Sequence, residues 1–454
     1  MANIQAKGFD RPLRFSNRDI ARLLIPLVIE QLLLVLVGMA DTVMVSTVGE
    51  AAVSGISLVD QISVLLIQVF SALATGGAVV VSQYIGRSDR QNASRAAKQL
   101  LWLAMLLAFL VMMFVLAFNR QMLRFIFGSV ENDVMQSAQT YFWITAISYP
   151  FLGLYNGGAA VFRAMNNSRI SLFVSLLMNI INIGGNAILI YVFNIGVAGA
   201  AISTLCARAA AGVIMVVMLL NKNNTVFLTK LHKPQFSKKM LGSILSVAVP
   251  TGLEGGMFQV GKLLTGRLVA SFGTMSIAAN AICGNIASFS NVPGAAIGLS
   301  MVTVIGQCIG AKDYKQAQYY TRKLMTIAYV GMGALNAVLL FTSPTLIAFF
   351  HVSTETAALC ETIMIYSCIC TAIAWVPSFV LPNMLRATGD AKYTMGVSMA
   401  SMWLCRVVLA YVLGQYMNMG LLGVWVAMTL DWVFRDIFFI IRYFSGKWKN
   451  ARVI

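Results

Sequence analysis

Two short stretches decide how this chain reads: Ser82-Gln83-Tyr84-Ile85-Gly86 with Asp89, and Gly306-Gln307-Cys308-Ile309-Gly310 with Asp313. The second copy follows the first at an offset of 224 residues. The same offset relates Pro26 to Pro250, Glu30 to Glu254, Gly49 to Gly273 and Gly199 to Gly423, and an offset of 223 relates Arg163-Ala164 to Arg386-Ala387. Each match alone carries little weight. Matches kept in order across a whole half mean that the chain is a duplication.

Around these markers the sequence is a series of apolar runs. Of its 454 residues 59% are hydrophobic and 11% charged, against about 25% charged in a soluble domain. A bilayer span needs about 20 mostly apolar residues. Such runs fall near 20–45, 52–84, 97–118, 134–158, 170–193, 197–220, 241–267, 276–305, 322–343, 358–384, 394–414 and 420–443. They are continuous rather than alternating, so they predict helices, which satisfy their own backbone groups in lipid. The expected fold is an all-α integral membrane protein of twelve transmembrane helices in two pseudo-symmetric six-helix bundles. The expected organisation is 1–220 for the first bundle, 221–239 for a linker and 240–454 for the second. An even number of spans per half gives both halves one orientation, related by an axis along the membrane normal.

The formal net charge is +17, and its distribution is a topology signal. Lys and Arg concentrate in 1–22, 85–98, 163–169, 221–239, 312–323, 386–392 and 442–454, at alternate helix ends. The opposite loops near 46–52, 194–196, 271–275 and 415–419 hold none; only Arg120 and Arg124 break the pattern, beside Glu131 and Asp133. The positive-inside rule then expects both termini and the linker in the cytoplasm of a protein of the inner (plasma) membrane. This placement excludes nucleic acid as a partner. No cleavable leader is expected ahead of the first span. The seven cysteines are scattered without metal spacing and the chain has two histidines, so neither a metal site nor another cofactor is expected.

Ionisable groups at membrane depth are costly and need a reason. Glu30 and Asp41 stand eleven residues apart, within about 20° of whole helical turns, on one face and roughly 16 Å apart. The functional reading is a cation or proton site; the plain one makes Asp41 a helix cap and Glu30 a structural hydrogen-bonding group. Asn182 and Asn186 share a helix face, suited either to orienting a carboxylate or cation or to joining helices. Gly184 and Gly185 between them permit a close helix approach or an unwound turn. Glu254, Gln259 and Lys262 are candidates for substrate contact or a gate, with Lys262 placed to neutralise an acid on another helix. Arg406 with Asp431 reads as a buried pair within a set of charges that includes Arg208, Arg435 and Asp436. Pro26 and Pro250, each four residues before its glutamate, read as hinges at the start of their helices. A parallel repeat would set Glu30 and Glu254 facing one axis, sharing a proton or site, unless each caps backbone groups freed by its own proline.

Pro26 followed by Asp41-Thr42-Val43-Met44-Val45 and Gly49-Glu50-Ala51-Ala52 resembles the first helix and loop of the MATE (multidrug and toxic compound extrusion) family. So do Ala74-Thr75-Gly76-Gly77, the two Gln-x-x-Gly stretches, Phe162-Arg163-Ala164, and Asn182-x-x-x-Asn186 followed by Gly196-Val197-Ala198-Gly199-Ala200-Ala201. The resemblance covers nearly the whole chain. It implies two six-helix bundles around a central cavity, and export of small organic, often cationic, compounds by alternating access in exchange for H⁺ or Na⁺. No enzyme activity is expected, and a single chain in the bilayer is the expected working unit. In one branch the coupling ion sits at positions like Asp41 and Asn182, with an aspartate where this chain has Asn186. Another branch uses carboxylates in helices seven and ten; here helix ten carries only Glu361, with Trp375 where that acid would stand, and Glu254 lies nearer its helix start.

The alternative is a flippase for lipid-linked precursors on a related fold, which wants a large basic cavity and usually more spans. A membrane-embedded enzyme would want a clustered acid, histidine or cysteine motif, and none is visible. A channel usually forms its pore by oligomerising, whereas duplication already supplies two-fold symmetry here.

Overall fold

The structure is a computed structural model that describes residues 12–128, 131–229 and 236–454. Lys7, Arg11, Lys230 and Lys233, within the basic segments above, lie outside the described residues. The described residues are helical with no strand. The first half holds α1 (Asn17–Ser46), α2 (Glu50–Gly86), α3 (Arg90–Phe127), α4 (Asn132–Ile147), α5 (Tyr149–Ala164), α6 (Ser168–Asn186) and α7 (Val197–Leu219). The second holds α8 (Lys238–Ser271), α9 (Thr274–Ser290), α10 (Val292–Gly310), α11 (Tyr314–Ala348), α12 (Thr354–Cys370), α13 (Val376–Phe379), α14 (Leu381–Thr388), α15 (Ala391–Ser401), α16 (Leu409–Tyr411) and α17 (Gly420–Phe444). Wide π-turns continue α6 over Ala187–Val192, join α12 to α13 and flank α16.

Among the described residues ten helices are long and apolar enough to cross a membrane. The two further spans of the twelve are α4 with α5, interrupted at Ser148 ahead of Pro150, and α17, which carries Asp431, Arg435, Asp436 and Arg442. The run expected over 276–305 is likewise two helices, α9 and α10, broken at Asn291 ahead of Pro293. Proline lacks the N–H that would carry the ladder through.

The duplication is visible in the backbone. Ser88 and Lys312 both take positive φ, 63° and 58°, and so do Asn194 and Asn418, 54° and 56°. After each of the first pair an aspartate caps the next helix: Asp89 accepts from Asn92 N and Asp313 from Gln316 N, both at 3.0 Å. The backbone and side-chain amides of Asn92 hold the Asp89 carboxyl below the usual carboxylate range. The opening motif is therefore a helix end, a left-handed residue and an N-cap, used twice.

The chain divides into two compact units, Arg18–Ala248 and Val249–Val453, with the described residues before Arg18 belonging to the second. The boundary falls inside α8, one residue before Pro250. In the first unit α2, α5 and α7 form the centre, and helices approach through small residues. A Cβ at Gly212 would lie 2.6 Å from the Phe151 carbonyl oxygen. In the second unit α10 is the most buried span and packs on α11 and α14. Its leading segment is tied down by two side chains of α11. Gln316 accepts from Arg14 N and donates to Pro12 O, each at 3.0 Å, while the Tyr320 hydroxyl bonds Phe15 N at 2.9 Å and Phe15 O at 2.8 Å.

Pro26 and Pro250 do not start their helices; both lie well inside continuous ones, α1 and α8. Polar loop residues ahead of each apolar run extend the helix backwards. Pro26 leaves the Arg22 carbonyl without its usual donor, and the Ser168 hydroxyl reaches it at 3.2 Å while bonding the Leu23 carbonyl at 2.7 Å.

Candidate functional site: a carboxylate held by two amides

In the first unit, α1, α2, α4, α6 and α7 enclose a cavity of about 450 Å³. Asp41 enters it from α1, Asp60 from α2, Tyr141 from α4, Asn179, Asn182 and Asn186 from α6, and Thr204 and Arg208 from α7. Asn186 donates to an Asp41 carboxylate oxygen at 2.9 Å. With the Asn182 amide turned to satisfy its neighbours, its nitrogen lies 2.8 and 3.1 Å from the two Asp41 oxygens and its oxygen 3.2 Å from the Thr204 hydroxyl. Asn186 and Asn179 are buried, at 2% and 6% exposure, yet Asn186 Oδ1 and Asn179 Nδ2 have no hydrogen-bond partner. The cavity thus has polar atoms free to serve an occupant.

Local structure explains the placement. Asn179, Asn182 and Asn186 are three and four residues apart, one face of α6. Gly185, as its flanking position suggested, lets α7 come close: a Cβ there would sit 2.5 Å from Ser203 Oγ, which instead donates to the Asn182 carbonyl at 2.6 Å. The helix then widens into the π-turn from Ala187, a feature common at functional sites. Arg208 is not part of the Arg406 set; it stands at this cavity and donates to Ser148 Oγ at 2.9 Å, in the break between α4 and α5.

The other sequence candidates are elsewhere. Glu30 does not line the cavity. It is 5% exposed, accepts from Ser171 Oγ at 2.7 Å and faces Arg163 at 3.6 Å. Glu254 pairs with Arg386 at 2.8 Å. Both glutamates therefore meet arginines of their own unit, and those arginines are themselves repeat-related. Neither glutamate is observed in the proline-capping role weighed above. Gln259 is half-buried and Lys262 exposed on α8, and among the described residues Lys262 makes no ion pair. The Arg406–Asp431 pair is present at 3.0 Å, and Arg435 joins the same carboxylate at 3.0 Å. Trp375 is buried and stacks on Phe379, ring centres 4.8 Å apart.

Asp60, Tyr141, Asn179, Thr204 and Arg208 were not assigned to the site from sequence. Asn179 was legible, since it extends the Asn182/Asn186 face by one turn. Asp60 and Tyr141 come from two other helices, and Thr204 and Arg208, although four residues apart on α7, have no linear spacing to the Asp41 or Asn182 faces.

The fold and its apolar spans define a multi-span membrane protein. A MatE family profile matches residues 26–188 and 250–412, one match per half. The chain belongs to the MatE family, whose members are transporters rather than enzymes. It is 28% identical over 429 residues to the uncharacterized transporter YisQ of Bacillus subtilis, covering 93% of each chain. It is 25% identical over 453 residues to the probable multidrug resistance protein NorM of Thermotoga maritima, covering 96% of this chain and 94% of that one. Among solved structures, a multidrug resistance MATE family transporter in its outward-facing conformation superposes with a TM-score of 0.88 at 19% identity, over 95% and 96% of the two chains.

Proposed function

We propose that this protein is a multidrug exporter of the cell membrane. It works as a single chain by antiport, moving small organic, often cationic, compounds against an inward flow of H⁺ or Na⁺, with both termini in the cytoplasm. The observation that carries the coupling site is the way Asp41 is held. Glu30, Glu254 and Asp431 each face arginine, whereas Asp41 is held by two neutral amides inside a cavity and, among the described residues, makes no ion pair. Amide donors orient a carboxylate without neutralising it, so its charge is left for a mobile cation. Release of that cation on one membrane side and uptake on the other supplies the two states that alternating access requires. No cofactor takes part beyond the coupling ion.

The test uses proteoliposomes with an imposed proton or sodium gradient and a fluorescent organic cation, ethidium. One of the two gradients drives dye movement in the wild type, and Asp41→Asn abolishes it while keeping an unchanged thermal midpoint. Dye movement indifferent to both gradients, or an Asp41→Asn variant that transports as the wild type does, overturns the reading.

A further inference from the structure

We propose that the groove between α3 and α4 binds a phospholipid headgroup, with its phosphate on Arg120 and a headgroup hydroxyl or ammonium donating to Asn119. The groove is open to the surface, has a volume of about 570 Å³ and is lined by Asn119, Arg120 and Gln121 from α3 and by Gln139, Thr140 and Trp143 from α4.

Its depth follows from sequence. Residues 100–118 are an unbroken apolar run, about 28 Å long at the helical rise. The hydrocarbon core is about 30 Å thick. Asn119 and Arg120 therefore stand where hydrocarbon gives way to headgroups. Trp143, half exposed on the facing helix, has the amphipathic character of residues at that interface. At this level α3 departs from helical geometry: Phe118 has φ −119° and ψ 17°.

The chemistry is that of a phosphodiester with a donor attached. Arg120 is exposed and makes no ion pair among the described residues. A guanidinium offers phosphate a two-pronged, charge-assisted contact. Asn119 is 9% exposed; its Nδ2 donates to the Gln139 carbonyl at 3.0 Å, and its Oδ1 is buried with no partner. That lone acceptor calls for a donor, which a glycerol or ethanolamine headgroup carries beside its phosphodiester. Arg120 is also one of the two basic residues that break the charge asymmetry of the loops. The acids near it in sequence, Glu131 and Asp133, lie at least six residues before Gln139, about 9 Å along the chain's rise, and do not line the groove.

The test titrates the purified full-length protein, in neutral detergent, with dioctanoylphosphatidylglycerol and reads the thermal midpoint. Parallel titrations use dioctanoylglycerol, which lacks the phosphate, and inorganic phosphate, which lacks the lipid. The expected result is a saturable rise with the phospholipid alone. Its apparent affinity falls at least about tenfold in Arg120→Gln and stays at the wild-type value in Arg124→Gln, a neighbouring exposed arginine outside the groove. Equal affinity in Arg120→Gln, or an equal response to dioctanoylglycerol, overturns the site. Saturation by inorganic phosphate alone overturns the lipid and leaves a free-anion site in its place.

Discussion

The hydroxyl of Ser168 lies 3.2 Å from the carbonyl of Arg22, the acceptor that Pro26 deprives of its helical donor. A side chain from α6 thus completes the backbone of α1 at the proline. Ser168→Ala should lower stability by about 1 kcal/mol, read as a fall in thermal midpoint in detergent. Pro26→Ala restores the missing N–H, so the serine should matter less in that background. Equal losses in both backgrounds would show that the serine acts only through the Leu23 carbonyl.

Glu30 with Arg163 and Glu254 with Arg386 form one ion pair in each unit, built from repeat-related residues. Because each glutamate has its own arginine, the stability losses of Glu30→Gln and Glu254→Gln should add in the double variant. Removing one arginine should cost more than removing the pair: Arg386→Met strands a mostly buried carboxylate, by about 3 kcal/mol or more, and the Glu254→Gln/Arg386→Met double variant should recover part of that loss. A double glutamine variant no worse than the worse single one would instead reveal a shared site.

On the proposed function, Asn186 and Asn182 serve to orient Asp41. Asn186→Leu should therefore reduce gradient-driven transport severalfold, while far-ultraviolet circular dichroism and expression stay at wild-type levels. Loss of expression in step with transport would assign the amides to helix packing.

The Asp89 cap carries a pH signature. Its folded carboxyl titrates below the ordinary value of 3.8, so its contribution to stability is present above that value and is lost as pH falls through the lowered one. Asp89→Ala should cost about 1 kcal/mol at pH 7. The gap between variant and wild-type thermal midpoints should close in strongly acidic detergent solution. A gap that persists unchanged there would mean that the cap acts without its charge.

The sequence alone determined the class of fold, the number of spans and the duplication. Each rests on a property summed along the chain: apolar length against bilayer thickness, and residue identity at a constant offset. It also marked Asp41, Asn182 and Asn186, because an acid or a pair of amides on one helix face is legible from helical periodicity. Only the tertiary structure decided what those groups meet. It set Glu30 and Glu254 against arginines 133 and 132 residues away in sequence, and it left Asp41 between two amides. It moved Arg208 from an assumed charge cluster to the Asp41 cavity and placed Pro26 inside a helix repaired from α6. In lipid every polar group must find a partner or a use. Which of these it finds depends on which helix packs beside it, and no spacing along a single helix specifies that.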